Sequence, residues 1–258
     1  MKPIWTGAIG FGLVNIPVKL YSAVEASELD LDMLDKTDHA HIKFKRVNEN
    51  TGKEVACENI VKGYSLNDQY VVLDDDDFDK AAPEKSKIIE IAEFIDEGAV
   101  NSIYYEMPYY AEPEKNGSKA YCLLRDALKE SGKAGLGSFV LRTKESLCLI
   151  KREGNVIIVN RIRFAQEIRK HTDLNIPESS ASKPAELKMV ISLIDQLTGD
   201  FDISKYKDTY SEKLIQIIED KSKGKVKDAP AMKVVQSKAT DLMAQLKASL
   251  SVSHKKAS

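Results

Sequence analysis

The hydrophobic period of the chain changes once along its length, and this change is the feature that most constrains its fold. Up to about residue 165, apolar residues alternate with small or polar ones, as Ile9, Phe11 and Leu13 do, which is typical of β-strands. Beyond residue 172, apolar residues recur at the i, i+3, i+4, i+7 spacing of an amphipathic helix, first between residues 187 and 197. The sequence therefore predicts a β-rich region followed by a smaller helical one.

The β-rich region is expected to contain many short strands. We predict them at residues 9–13, 41–47, 70–73, 88–95, 102–110, 139–143, 147–150 and 156–159. The turn formers at residues 48–52 predict that the chain reverses there, so that residues 53–55 pair with the strand at residues 41–47 as a hairpin. Pro17 indicates a sheet edge or bend, and residues 120–130 predict a single helix. Many short strands with Gly- and Asn-rich turns favour a β-barrel.

The chain is expected to divide into four segments. They are a β core at residues 1–172, a linker at 173–183, a helical module at 184–222 and a basic tail at 223–258. Pro184 suits the first turn of the module's first helix, and a second helix is expected from Ser211. Residues 221–230 predict a flexible hinge, and residues 234–250 a last helix within the tail.

Charge is distributed unevenly along this chain of 258 residues, whose net charge is only −2. Residues 68–98 carry eleven acids against three lysines, a balance of −8, whereas residues 142–170 carry +5 and residues 221–258 carry +7. The near-zero total argues against a generally basic, histone-like protein. It leaves a nucleic-acid partner open, because binding depends on where charge lies. From composition alone, the basic tail is explained equally well as a contact for nucleic acid and as a segment that only keeps the protein soluble.

Composition also bears on the cellular compartment. No apolar stretch approaches the ~20 residues of a membrane span, so no membrane partner is expected. The first seven residues lack the long apolar core of a secretory signal. Three widely spaced cysteines, Cys57, Cys122 and Cys148, favour a reducing cytoplasm and unpaired structural thiols. We therefore expect a cytoplasmic protein.

Motifs for catalysis are weak. The glycines of residues 7–12 lack both the dinucleotide and the P-loop spacing. His39 and His41 could share one strand face, but no cysteine pair or further histidine lies nearby to complete a metal site. The acidic run of residues 74–77 lacks the spacing of an EF-hand loop and is expected to be a solvated turn that caps the next segment. We expect no catalytic residues, no metal and no cofactor.

Two predicted strands place basic side chains on one face. Alternation puts His41, Lys43 and Lys45 together, and it would put Arg142 and Lys144 together with Val140. The spacing of about 7 Å between such side chains is comparable to that of successive phosphates along a DNA strand. An ordinary solvated strand face remains the alternative.

Several segments together resemble one family. The N-terminal run of residues 4–21 (IWTGAIGFGLVNIPVKLY) resembles the opening of bacterial Ku proteins. The similarity continues in order to about residue 222, and its further segments are 44–47, 52–55, 60–64, 70–73, 105–110, 139–142, 161–165 and 187–210. The combined pattern is far more specific than any single segment.

The resemblance implies a protein that binds ends of double-stranded DNA in non-homologous end joining and is not an enzyme. It implies a mainly β fold with added α: a Ku-core β-barrel whose bridge hairpin forms a dimeric ring, followed by a small helical C-terminal region. The implied partners are DNA ends, a second copy and an ATP-dependent DNA ligase of bacterial end joining. The implied location is the cytoplasm, in association with the nucleoid.

Site residues follow from the basic faces and the resemblance together. The expected DNA contacts are Lys43, Lys45, Arg46, Lys53, Arg142, Lys144, Lys223, Lys225 and Lys227. The expected dimer interface is Ile42, Phe44 and Val47, and the expected ligase-binding residues are Leu187, Ile191, Ile194, Tyr206 and Tyr210. The acidic residues 74–79 are expected on the outside of the ring. The alternatives are a β-barrel adaptor that binds only proteins and, less well supported, a nuclease or ligase-like enzyme.

Overall fold

The computed structural model describes residues 1–81, 86–177, 183–224, 245, 246 and 249. The chain forms two compact units, which we describe separately. The first comprises residues 1–26 and 30–170, and the second comprises residues 27–29 and 171–258.

The first unit is built on a closed barrel. Its strands are β1 (Trp5–Phe11), β2 (Val14–Ser22), β5 (Ile88–Asp96), β6 (Tyr105–Pro113), β7 (Lys133–Leu141), β8 (Lys144–Glu153) and β9 (Val156–Ile162). A two-stranded ribbon, β3 (Lys62–Leu66) with β4 (Gln69–Leu73), stands apart from it. The barrel order is β1-β2-β6-β9-β8-β7-β5, and β5 closes it by pairing parallel to β1. The predicted β-barrel is therefore confirmed.

Alternation along the strands fills the barrel. Ile16, Val18 and Leu20 of β2 are fully buried at every second position, as strand geometry requires. Ile157 and Val159 of β9 repeat the pattern, and all five belong to the main core cluster. The inward faces of facing strands thus form one apolar core.

Helix α2 (Ser118–Ser131) covers part of this core. Its buried residues Tyr121, Leu124 and Leu128 lie at helical spacing and pack into the same cluster. The helix ends at Gly132, whose φ of 62° is the left-handed conformation that glycine adopts most easily. The predicted helix at residues 120–130 is present and slightly longer.

The connection between β2 and β5 contains a long exposed segment, residues 30–87, which we call the arm. It carries the ribbon β3–β4 and the short helix α1 (Asp75–Ala81). The ammonium of Lys62 lies 4.4 Å from the centre of the Phe78 ring and so links the ribbon to α1. None of the arm residues that the structure describes is buried. The described part of the arm therefore has no core of its own.

The predicted strand at residues 41–47 is wrong. This stretch makes only isolated bridges, between Leu34 and His41 and between Val47 and Glu54. An alternating pattern forms a regular strand only where a neighbouring strand completes the hydrogen-bond ladder, and the described chain supplies none here. The predicted hairpin turn is present: the N–H of Val55 donates to the carbonyl of Arg46 at 2.8 Å, on the far side of the 48–52 loop.

Other strand predictions were shifted. β6 begins only at Tyr105, because residues 102–104 form a 3-10 turn. β7 runs from Lys133 to Leu141, so the predicted strand at residues 139–143 begins six residues too late and extends two residues into the turn. Pro17 lies within β2, opposite Ala8 of β1, and just outside the stretch that pairs with β6.

The second unit contains two described helices, α3 (Pro184–Leu197) and α4 (Thr209–Ser222). Pro184 opens α3 as predicted. The carboxylate of Asp208 caps α4 by accepting the N–H groups of Tyr210 and Ser211. The hydroxyl of Ser211 also donates to this carboxylate at 2.6 Å, and this hydrogen bond, followed by those from the backbone, lowers the pKa of Asp208. Most of the predicted hinge and of the last helix at residues 234–250 lies outside the described residues. Among the helices that the structure describes, none is long and apolar enough to cross a membrane.

Candidate nucleic-acid interface

The arm hairpin presents four of the predicted cations. Lys45 pairs with Glu54 across the hairpin at 2.7 Å, and both side chains are well exposed. The guanidinium of Arg46 donates to the thiol sulfur of Cys57. Lys43 and Lys53 are exposed and form no ion pair with any described residue. Because the stretch forms no regular strand, the proposed one-face alignment of His41, Lys43 and Lys45 lacks the ladder that would enforce it.

Arg142 and Lys144 do not share a strand face. Arg142 and Thr143 form the two-residue turn between β7 and β8, and Lys144 is the first residue of β8. Arg142 has a φ of 62°, a left-handed conformation that is uncommon for a residue with a side chain. The structure therefore brings both cations to the exposed tip of one hairpin, rather than along one strand.

A cleft of about 710 Å³ opens beside this hairpin tip. Its charged lining residues are Glu106, Arg142, Lys144, Glu145, Arg161 and Glu167. Arg161 of β9 holds the carboxylate of Glu106 with two hydrogen bonds of 2.6 and 2.9 Å, and this contact raises the pKa of Arg161. Arg163 lies 4.0 Å from the same carboxylate. Our sequence reasoning did not select Arg161 or Arg163, although both lie in the +5 segment.

A β-bulge aims Glu106 at these arginines. The register of β6 against β9 shifts between Tyr105 and Met107, so Glu106 is the extra residue. A bulge turns a side chain out of the regular alternation. The carboxylate is consequently placed by the backbone irregularity and not by sequence spacing.

The remaining predicted DNA contacts lie in the second unit. Lys223 lies 3.8 Å from Glu219, one turn earlier along the chain. Lys225 and Lys227 lie outside the described residues.

The predicted protein-contact residues are exposed within this single chain. The exposed fractions of Ile42, Phe44 and Val47 are 45%, 79% and 58%. On α3, Leu187, Ile191 and Ile194 lie at i, i+4 and i+7 and are each about half exposed. Tyr206 and Tyr210 are also exposed. Apolar side chains in such positions are free to meet a partner.

The acidic run and the candidate metal ligands have simple local structures. The carboxylate of Asp74 accepts the N–H of Asp77 at 2.9 Å, and that of Asp77 accepts the N–H of Asp74 at 3.2 Å, as predicted for a cap. Across the described ranges, no group of three or more His, Cys, Asp or Glu could hold a metal ion.

The three cysteines are unpaired, with Cys57 and Cys122 exposed and Cys148 buried.

Comparison with known proteins places the fold. The sequence model of the Ku70/Ku80 beta-barrel domain matches residues 10–189. The chain belongs to the Ku family. Among relatives named "Non-homologous end joining protein Ku", the Bacillus subtilis (strain 168) protein is 39% identical over 87% of this chain and 73% of its own. The Coxiella burnetii protein is 39% identical over 86% of this chain and 83% of its own.

The extent of the match varies among Ku relatives. The Cupriavidus necator protein is 38% identical over 84% of this chain but only 66% of its own length. The Ku resemblance inferred from the sequence segments is thereby confirmed.

Proposed function

We propose that this chain binds the ends of double-stranded DNA as a ring-shaped homodimer. We further propose that it recruits and stimulates an ATP-dependent DNA ligase in double-strand break repair by non-homologous end joining. The observation that carries the proposal is the arm, which exposes apolar and basic side chains in a Ku-family chain. The proposed role is non-catalytic and nucleoid-associated.

The chemistry of the proposed DNA contacts is that of phosphate binding. Lysine and arginine neutralise backbone phosphates without reporting base identity, which suits a protein that must accept any end. Among the residues that the structure describes, Lys45 is held only by an exposed ion pair with Glu54, and such pairs contribute at most about 1 kcal/mol. A phosphate can therefore replace Glu54 at little cost.

Homodimerisation is supported by the exposure of the arm. An exposed segment with unpaired backbone and apolar side chains is stabilised by pairing with another chain, and two-fold symmetry lets two identical arms cover each other. Phe44, 79% exposed, is the strongest candidate for the contact. The acidic helix α1 is then expected on the outside of the ring, away from DNA.

Ligase docking is proposed for the helical module. Helix α3 presents Leu187, Ile191 and Ile194 as a half-exposed stripe, the pattern by which amphipathic helices bind grooves. Ile191→Glu should abolish stimulation of an end-joining ATP-dependent ligase while DNA binding is kept. Lys188→Gln, on the same helix, is the matched control. If both variants stimulated the ligase equally, the apolar stripe of α3 would not be its binding site.

The central test compares linear with covalently closed circular duplex of identical sequence. A ring loads only from an end, so we expect binding to the linear form and to the circle after a single cut, and none to the intact circle. Equal binding to linear and circular DNA would reject threading. Binding to neither would favour the protein-only adaptor.

A further inference from the structure

The two described helices of the second unit bury too little apolar surface to be stable by themselves. Neither α3 nor α4 has a buried residue, and both helices are described over their whole length. Helices of 14 residues are marginal in isolation, and most of their stability in proteins comes from packing an apolar face against a partner. The two helices make little contact with each other, so each needs a different partner.

Helix α3 has a second apolar face beside the exposed stripe proposed for ligase docking. Met189, Val190 and Leu193 lie on this face at helical spacing and are only partly exposed. Since α4 makes little contact with α3, another segment covers this face in part. We call these three residues the second face of α3.

The C-terminal tail holds the one buried side chain among the residues that the structure describes in this unit. Leu246 is helical and 9% exposed, whereas its helical neighbours Gln245 and Ser249 are exposed. This one-sided burial matches the sequence, because the apolar residues 235, 242, 246 and 250 share one side of the helix predicted at 234–250. Residues 171–258 form one compact unit with α3, so the partner of Leu246 is expected within that unit.

The connection between α4 and the tail is long enough to bring the tail back to α3. Eleven residues join Ser222, the end of α4, to residue 234, and they span up to about 36 Å, whereas either helix is ~21 Å long. A segment tethered in this way has an effective concentration in the millimolar range, so it occupies the face ahead of a second copy.

Charge favours the same pairing. Residues 184–222 carry eight acids against five lysines, whereas residues 223–258 carry eight lysines against two acids. The tail and the two helices therefore attract each other in addition to their apolar contact.

We propose that residues 234–250 of this chain form the third helix of the helical module and pack Leu242 and Leu246 against the second face of α3. The tail then has a structural role that is separate from the charges of its lysines. The exposed stripe of α3 stays free, so the ligase and the tail occupy different faces of one helix.

Hydrogen exchange measured by mass spectrometry on the full-length protein tests this packing. Leu246→Glu places a charge in the apolar contact and should speed exchange in α3 about tenfold or more. Gln245→Glu is the matched control, since it introduces the same charge one residue away at an exposed position, and it should exchange like the wild type. The barrel strands should be unchanged in both variants.

A reciprocal pair of variants identifies the face of α3. Leu193→Glu should speed exchange in residues 234–250, because it disrupts the second face. Ile191→Glu, on the exposed stripe, should leave the exchange of the tail unchanged and controls for a general loss of α3 stability. Equal effects of these two variants on the tail, or no effect from either, would overturn the proposal.

Two further results would also overturn it. One is the same exchange rate in α3 for Leu246→Glu and Gln245→Glu. The other is slower exchange of residues 234–250 in the wild type as protein concentration rises, since the occupant would then be a second copy. None of these measurements involves DNA or ligase, so a failure here is distinct from a failure of the proposed end-joining function.

Discussion

The hydroxyl of Tyr121 accepts a hydrogen bond from the backbone N–H of Ile157 at 2.7 Å and so joins α2 to β9. It also donates to the carbonyl of Ala111 at 2.8 Å. Ala111 and Ile157 are the last partners in the register of β6 against β9. The hydroxyl thus satisfies both backbone groups where that ladder ends, and burial raises its pKa.

Tyr121→Phe should therefore lower the free energy of unfolding by about 2 kcal/mol, because a buried donor and a buried acceptor lose their partner. Urea denaturation followed by the fluorescence of Trp5, the single tryptophan, measures it. Tyr110→Phe, on the more exposed face of β6, is the control and should stay within about 0.5 kcal/mol of wild type. Equal losses for the two variants would contradict the role of the Tyr121 hydroxyl.

Gly137 should not tolerate a side chain. A Cβ at this position would lie 2.2 Å from the carbonyl oxygen of Glu90 on the neighbouring strand β5. Gly137→Ala is therefore expected to destabilise the barrel by about 2–3 kcal/mol, as overpacking does. Gly98→Ala meets no atom within 4 Å and serves as the control in the same denaturation experiment. A barrel of unchanged stability in Gly137→Ala would contradict the close approach of β5 and β7.

The three thiols should differ in reactivity. Cys57 and Cys122 are exposed, whereas burial raises the pKa of Cys148 from 9.0 to about 12. At about pH 8, a chromogenic disulfide reagent should titrate only the two exposed thiols of the native protein, and all three in urea. Rapid reaction of a third native thiol would show that Cys148 is accessible.

The raised pKa of Cys148 also sets a pH dependence. The pKa is higher in the folded than in the unfolded state, so the stabilising contribution is complete below pH 9.0 and is lost as pH rises towards about 12. In Cys148→Ala, stability should fall less steeply over this alkaline range. Denaturation curves at several pH values measure the difference; identical pH profiles would argue against it.

Phe44→Glu should convert the proposed homodimer to a monomer, because its exposed ring would be replaced by a charge in an apolar contact. Sedimentation measures the mass in solution. Leu13→Glu, at the fully exposed turn between β1 and β2, controls for the introduced charge and should leave the mass unchanged. A wild-type protein that is a stable monomer would exclude the ring.

Replacing Lys43 and Lys53 together with Gln should weaken DNA binding and lower the salt slope by ~2, one unit for each phosphate contact. The loss should be the same for linear duplexes of different sequence, since phosphates carry no base information. Lys129→Gln, which removes one cation of α2 outside the predicted DNA contacts, is the control and should bind like the wild type. A loss that depends on the sequence of the duplex would contradict backbone contact.

The spacing of apolar residues correctly predicted those strands and helices that have a partner to pair with or pack against. The alternating apolar residues of β8 and β9 and the helical spacing of α2 and α3 were sufficient to locate these elements. Residues 41–47 alternate just as well, yet they form only isolated bridges, because no neighbouring strand in the described chain completes a ladder. Periodicity indicates which face of a segment is apolar, but it does not supply a partner strand.

For the candidate interface, the sequence by itself determined the family resemblance, the segregation of charge and the cations available for phosphates. Only the tertiary structure decided how they are grouped. The turn at residues 142–143 places Arg142 off the strand, and the bulge at Glu106 brings one carboxylate to Arg161 and to within 4.0 Å of Arg163. Bulges and strand partners arise from contacts between segments distant in sequence, so the spacing of residues along the chain does not encode them directly.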